Sequence, residues 1–449
     1  MLRECTDSRI MEKNVKERCI MNMLEMLTNS ELQEHYSQLS HGYEEFQAQK
    51  LKLNMSRGKP CPAQLDLSAP LINCLSQEDY KTSDGTDCRN YGGLDGIAEA
   101  KELFAWMVEA SPKNVIIGGN SSLVLMHDLI ARAMIHGLPG SETPWSKLDK
   151  VKFLCPSPGY DRHFAICEYF GIEMITIDYR EDGPNMDLVE QLVAADSSIK
   201  GIWCVPKYSN PTGITYSDAV VKRLATMPTK ASDFRIIWDN AYAVHHLNST
   251  PDQLLDIQET CNSAFHPDRV FVFSSTSKIS FASSGIAMVA SSETNIAWLK
   301  KQMMFQTIGP DKLNQLRHVR FFKDQSGIEA HMRKQAAIVS PKFNMVLEIL
   351  ESKLGNKSLA TWSKPQGGYF ISLDTLPGCA QKVINRAAAA GVELTSAGAT
   401  FPYGKDPEDK NIRLSPTFPP LTELKQAMEL VALCVELVSA EQEMAKRNL

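Results

Sequence analysis

Lys278 closes residues 274–278 (SSTSK), directly after the apolar run VFVF at 270–273. A lysine amine carried off the end of a buried strand, among small hydroxylic residues, can be kept neutral enough to attack a carbonyl and form a Schiff base. The bland alternative is a solvated lysine at the start of a loop. Asp239 ends the run IIWD and is followed by Asn240, Ala241 and Tyr242. Its carboxylate could pair with a heteroaromatic nitrogen, and Tyr242 could reach a hydroxyl of the same ligand; a strand-end Asp is also a common helix cap. Asn210 opens the turn NPTG at 210–213, an amide beside a Pro-Gly bend that serves equally well as a plain turn. Gly118, Gly119, Asn120, Ser121 and Ser122 lie between an apolar run and a helical segment. Small residues there let the backbone approach an anion, which the positive end of the following helix would favour. An ordinary N-capped turn accounts for the same residues, and the absence of GxxxxGK[ST] argues against a nucleotide P-loop.

These motifs need a scaffold that brings them together. Seven short apolar runs alternate with helical segments: NVII (114–117), VKFLC (151–155), IEMITI (172–177), IKGIWCV (199–205), FRIIW (234–238), VFVF (270–273) and IAMVA (286–290). The alternation predicts an α/β fold with a seven-stranded, mostly parallel sheet covered by helices on both faces. Ligands of such sheets bind beyond the carboxyl ends of the strands, where GGNSS, PSPGY, KYSNPTG, DNAY and SSTSK all fall. Beyond residue 295 the pattern is helical to Leu354. It then mixes YFISL, VEL and IRLS with a closing helix from Leu421, which predicts a smaller α/β domain.

The expected organisation is a helical or partly disordered extension over 1–50 and a leading segment of the small domain over 51–85. The large domain would span 86–325 and the remainder of the small domain 326–449. Residues 1–50 carry no signal that separates a subunit-crossing arm from a lid or an unstructured tail.

Composition narrows the partners. With 449 residues, 43% of them hydrophobic, the chain can bury a sizeable core, and a formal net charge of -6 offers no field for nucleic acid or an anionic membrane. No apolar run approaches a membrane span, and the first 30 residues, with Glu4, Asp7, Glu12, Glu17 and Glu25 among the apolar positions, lack a secretory h-region. The 11 cysteines show no CxxC pair, so the expectation is a reducing, cytoplasmic setting, free thiols and no metal. A small charged metabolite suits this charge balance best.

Taken together, YSNPTG, WDNAY and SSTSK, in this order and spacing, resemble the signature of class I and II aminotransferases, the fold-type I pyridoxal-phosphate (PLP) enzymes. RGKP (57–60), YGGLDG (91–96), PSPGY and IRLSPTFP (412–419) extend the resemblance over nearly everything except the first 50 or so residues. With GGNSSL and IGPDKLNQLRHVRF (308–321), the chain is most similar to a divergent aspartate aminotransferase branch. The resemblance implies that Lys278 carries PLP and shuttles the substrate proton, that Asp239 pairs the pyridine nitrogen, and that Asn210 and Tyr242 bond the ring oxygen. It implies that Tyr160 stacks on the ring, that the phosphate lies on Gly119, Asn120 and Ser121 with the hydroxyls of Ser275 and Ser277, and that Tyr91 reaches it from a second subunit of a homodimer. Arg413 would grip the substrate α-carboxylate, with Gly58 and Asn210 beside it. Core packing for Tyr91 and Tyr160, and a surface ion pair for Arg413, are the bland alternatives.

One position departs from the family pattern. Many members carry an arginine eight residues after the lysine; this chain has Ile286 there and no cation from Ile279 to Ala290. Ser283 and Ser284 are candidates to supply hydroxyls instead. The implied reaction is amino-group transfer from an L-amino acid, aspartate foremost, to a 2-oxo acid, 2-oxoglutarate foremost. A dicarboxylate needs a second cation, for which Arg57, Lys207, Lys312, Arg317 and Arg320 stay open. Alanine, aromatic or aminoadipate donors, a PLP lyase or decarboxylase, and a regulator with an aminotransferase-like domain are the competing readings.

Overall fold

The computed structural model describes residues 22–449. The expectation of an extension over 1–50 therefore lies, for residues 1–21, outside the described residues. The central sheet has the spatial order Val115–Ile117, Ala287–Ala290, Val270–Ser275, Arg235–Asp239, Ile199–Cys204, Lys152–Ser157, Glu173–Arg180 and Gly183–Pro184. From Val270–Ser275 to Glu173–Arg180 every pairing is parallel. Ala287–Ala290 runs antiparallel to both neighbours, so Val115–Ile117 points the same way as the parallel set.

Seven of these strands are the apolar runs of the sequence. The eighth, Gly183–Pro184, pairs antiparallel with Tyr179 and Arg180 at the edge. Two residues inside a turn-rich stretch carry no hydrophobic period, so pattern reading leaves it out.

The runs are apolar throughout because both sheet faces are covered. Ile116, Phe153, Cys155, Trp203, Ile237 and Phe271 pack on one side with Met126, Leu129 and Ile130 of helix Ser122–His136. Their alternating neighbours Ile117, Leu154, Ile202, Ile236 and Trp238 pack on the other, with Val220, Val221 and Leu224 of helix Asp218–Thr226. The period of two thus sends successive side chains into two different cores. Polarity is left for the strand ends, and parallel pairing brings those ends to one edge.

A separate core is built from both ends of the described chain. Helices Asn29–Ala48, Gln325–Leu354, Ala380–Ala389 and Leu421–Lys446 pack around an antiparallel sheet of Ala360–Trp362, Ile371–Thr375 and Asn411–Leu414. Thr28 and Glu31 cap the first of these helices reciprocally, and it buries Leu32, Leu39 and Tyr43. Arg447 donates to the carbonyls of Leu24 (3.0 Å) and Leu27 (2.7 Å), pinning the preceding helical turn to the chain's end. Leu53–Asn54 pairs in parallel with Val392–Glu393. At that crossing Gly391 has φ +92, and a Cβ on it would fall 1.9 Å from the Leu51 carbonyl oxygen, so only glycine fits. Among the described residues no helix is long and apolar enough to cross a membrane, and the nine cysteines are free.

Candidate active site

The strand ends and the second core meet at a cleft of about 500 Å³ lined by Lys278, Tyr242, Asn210, Tyr160, Gly58 and Arg413, among others. Lys278 leaves the end of Val270–Ser275 and sets its Nζ 4.9 Å from the Tyr242 ring centre and 5.8 Å from that of Tyr369. Burial pulls its pKa below the usual lysine value, and the nearby Asp239 carboxylate partly opposes that shift. The neutral, nucleophilic amine is thereby made more accessible.

Asp239, 3% exposed, ends Arg235–Asp239. Its Oδ2 accepts from His163 Nε2 at 3.0 Å, while its Oδ1 has no partner among the described residues. A buried carboxylate oxygen left unbonded costs about 1–3 kcal/mol or more, which marks it as reserved for a donor from outside the chain. The His163 ring is held by Trp203, stacked at 4.4 Å and 10° between planes, and by the edge of Tyr160 at 5.0 Å. Tyr242 is buried, and burial pushes its hydroxyl well above the ordinary tyrosine pKa.

Arg413 comes from the second core, on Asn411–Leu414, yet points into the cleft and is 7% exposed. Its Nη1 pairs with Asp161 Oδ1 at 2.9 Å and reaches towards Asn210 Oδ1 at 3.5 Å, its Nε lies 3.4 Å from Thr395 Oγ1, and Phe370 underlies the guanidinium at 5.0 Å. The ion pair is therefore a feature of the cleft wall, not of the outer surface. Gly58 packs beneath the same ring: a Cβ there would stand 2.4 Å from Phe370 Cζ. With no side chain, its backbone stays open to the cleft.

Gly119, Asn120, Ser121, Ser275 and Ser277 form a second cluster beside Lys278. Ser277 Oγ donates to the Asn120 carbonyl and Ser275 Oγ to Ser277 Oγ, both at 3.1 Å. Nothing crowds a Cβ at Gly119, and Ser121 caps helix Ser122–His136 without a side-chain bond to its first amides. Those amides are a ready anion cradle. Asn120 Nδ2 donates to the carbonyls of Ser283 (3.1 Å) and Ala282 (3.4 Å), drawing that loop against the cradle. Ile286 is buried, its amide bonded to Thr276 Oγ1, so the position eight residues after the lysine belongs to the core.

Tyr91 does not line this cleft. It is 84% exposed on a turn whose Asn90 and Gly92 carbonyls accept from Lys312 Nζ at 2.5 and 2.6 Å.

Several groups escaped the sequence reading. Asp161, Arg162 and His163 follow Tyr160 immediately, and recognising them requires knowing that a helix starts there. Behind Lys278, Tyr369 donates to its carbonyl at 3.4 Å and accepts from Gln64 at 3.0 Å, while His331 (2.8 Å) and Gln335 (3.1 Å) hold the Ile279 carbonyl. These residues come from three distant segments, and no spacing announces them.

Burial also lowers three nearby or supporting histidines, His245 to about 3 and His246 and His318 to about 4. Each is neutral in the fold but takes a proton near pH 6.5 when unfolded. The unfolded state therefore binds more protons between those values, so stability falls as pH drops from about 6.5 towards 4, by up to about 1.4 kcal/mol per pH unit for each of the buried His245 and His318 and by less for the half-buried His246. Burial pushes the Glu109 carboxyl up to about 8, which works in the opposite direction over this window, so the test uses Glu109→Gln: its melting temperature should be lower at pH 5 than at pH 7.5 in calorimetry, and an unchanged one would contradict the neutral assignment.

A half-buried lysine and a buried carboxylate delivered by parallel strand ends, a helix N-terminus beside them and an arginine from a second lobe form the kind of site a group-transfer enzyme needs. The comparisons with known proteins agree. The profile described as aspartate amino-transferase matches residues 27–447, and the chain belongs to that family. It is 47% identical to an aspartate aminotransferase of Corynebacterium glutamicum over 406 residues, 90% of this chain and 94% of the relative. A crystal structure of an aspartate transaminase from Corynebacterium glutamicum superposes with a TM-score of 0.92 at 45% identity, covering 94% of this chain and 99% of that one. An α-aminoadipate aminotransferase from Thermus thermophilus, complexed with N-(5'-phosphopyridoxyl)-L-leucine, shares the fold at a TM-score of 0.72 and 18% identity, over 87% of this chain and 93% of that one. The chain is an aminotransferase.

Proposed function

We propose that the protein is a PLP-dependent aminotransferase moving the amino group of L-aspartate to 2-oxoglutarate, cytoplasmic and active as a homodimer. The observation that carries this reading is the buried Asp239 with one oxygen unpartnered, beside the half-buried Lys278 amine. The donor set fits the cofactor: Asp239 Oδ1 for a ring N–H, Asn210 and Tyr242 for a ring oxygen, and Tyr160 for a ring face. Gly119, Asn120, Ser121, Ser275 and Ser277 fit a phosphate. When bound, PLP supplies a conjugated ring that takes up the electron pair of the substrate's Cα–H bond.

The chain's own groups do the rest. Lys278 Nζ would hold the cofactor and, once freed by the substrate amine, would take the substrate's Cα proton as a general base and hand it on. Arg413 grips the α-carboxylate, its Nη1 steadied by Asp161, with the Gly58 backbone alongside. Phe370 and Leu394 in the cleft wall exclude water. The exposed Tyr91, ordered by Lys312, suits a role in a partner's cradle, which makes the homodimer part of this reading. The proposed division is a small domain from 51–85 and 326–449, a large domain over 86–325, and an extension over 1–50 whose helix Asn29–Ala48 packs into the small-domain core. Small-molecule acids, not nucleic acid or membrane, are the partners.

The visible spectrum tests the reading directly. L-Aspartate should bleach the colour of the lysine-bound cofactor and 2-oxoglutarate should restore it. A spectrum indifferent to aspartate would overturn the substrate, and no colour after adding PLP would overturn the cofactor. In the cradle, Ser283→Ala with Ser284→Ala is expected to weaken PLP retention by about tenfold, the loss of one or two modest hydrogen bonds. Equilibrium titration of the apoenzyme measures it, and unchanged affinity would leave the phosphate to Gly119, Asn120, Ser121, Ser275 and Ser277.

A further inference from the structure

The five cations left open by the sequence part company in the structure. Lys312 is spent on the Asn90 and Gly92 carbonyls, and Arg320 on Asp79 and the Lys81 carbonyl. Lys207 lies over the Tyr208 ring in the field of Asp252 and Glu109, and neither it nor Arg317 lines the cleft. Only Arg57 of the five does, and Arg162 joins it. Both are exposed, and no carboxylate among the described residues pairs with either.

The charge balance of the cleft follows. Setting aside Lys278 as the point of cofactor attachment, the lining among the described residues holds three guanidiniums, Arg57, Arg162 and Arg413, and one carboxylate, Asp161. An excess of two positive charges in a concave, partly desolvated site selects a dianion.

Arg162 is also the better placed of the two. It sits in the first turn of helix Asp161–Tyr169, between Asp161, tied to Arg413, and His163, tied to Asp239. Both neighbours anchor that turn to groups proposed to hold substrate and cofactor. Arg57 rides on an irregular segment after Leu53–Asn54 and has no such anchorage. Tyr160, Arg162 and Arg413 all line the same cleft.

We propose that Arg162 binds the second carboxylate of a short dicarboxylic amino acid or 2-oxo acid, setting substrate specificity from within one chain, with Arg57 in a lesser role. This rests on the aminotransferase reading above and names the residue that selects its substrate. The anchored turn presents Arg162 to the same cleft as Arg413, so a dicarboxylate would be held at both ends and a monocarboxylate at one.

The test uses the holoenzyme and its Arg162→Gln, Arg162→Lys and Arg57→Gln variants. It compares kcat/KM for L-aspartate and L-alanine, and calorimetric binding of the unreactive pair succinate and butyrate. For Arg162→Gln, kcat/KM for aspartate should fall about 10²-fold more than for alanine, mainly through KM, and succinate should lose its advantage over butyrate. Arg162→Lys should keep part of that advantage and Arg57→Gln most of it. Equal losses on both substrates would overturn the assignment by making Arg162 a support of Asp161 and Arg413, as would a larger specificity loss in Arg57→Gln. If the wild type itself shows no preference for aspartate or succinate, the dicarboxylate reading of the protein fails first, whatever the variants do.

Discussion

Lys278→Ala is expected to lower kcat for transamination by about 10⁴-fold, the upper end of what a positioned acid–base group contributes. The amine has two duties in the proposed reaction, carrying the cofactor and moving the Cα proton, and no other amine among the described residues lines the cleft. Its replacement should not unfold the protein, because the surrounding anchors act on backbone: Tyr369 holds the Lys278 carbonyl, and His331 and Gln335 hold that of Ile279. Exchange of the aspartate Cα proton in deuterated water, followed by NMR, isolates the step. The variant should bind PLP and aspartate yet show exchange slowed by the same factor. Exchange at the wild-type rate would mean that another base takes the proton, and the central role of Lys278 would fall.

The second large effect is expected at Asp239. Asp239→Asn keeps the size of the side chain but removes the negative charge that a protonated ring nitrogen needs, and kcat should drop by about 10²–10³-fold, as for loss of one preorganised polar contact in a dry site. The site has little water to substitute for it: Asp239 is buried, and its Oδ2 is already engaged by His163, which Trp203 and Tyr160 hold in place. His163→Phe should reproduce a smaller part of the loss, since it leaves the carboxylate but frees its orientation. Steady-state rates beside the absorbance maximum of the bound cofactor measure both. A rate within a few-fold of wild type for Asp239→Asn, with PLP bound, would refute the pairing of this carboxylate with the ring.

Much of this arrangement was legible because it is local. Lys278, Asp239, Asn210 and the Gly118–Gly119 turn each follow an apolar run, and a parallel sheet sends such residues to one edge whatever packs elsewhere. What was not legible lay in partners contributed from afar. Phe370 beneath Arg413, Gln64 and Gln335 behind Tyr369, and the orphaned oxygen of Asp239 are relations between segments, and one sequence contains no distances between segments. The edge strand Gly183–Pro184 was missed for the opposite reason: it is so short that it has no pattern at all.

The sequence by itself determined the order of elements, the two-sided burial of the sheet and the residue types at its carboxyl edge. Periodicity and strand-end polarity are properties of neighbouring residues, and the chain's own covalent geometry enforces them. The tertiary structure alone decided which cations face the substrate. Lys312, Arg317, Arg320, Arg57 and Arg162 are equal as charges on a string, and only the packing of the second lobe over the sheet edge spends some on carbonyls and carboxylates and turns Arg57 and Arg162 towards the cleft.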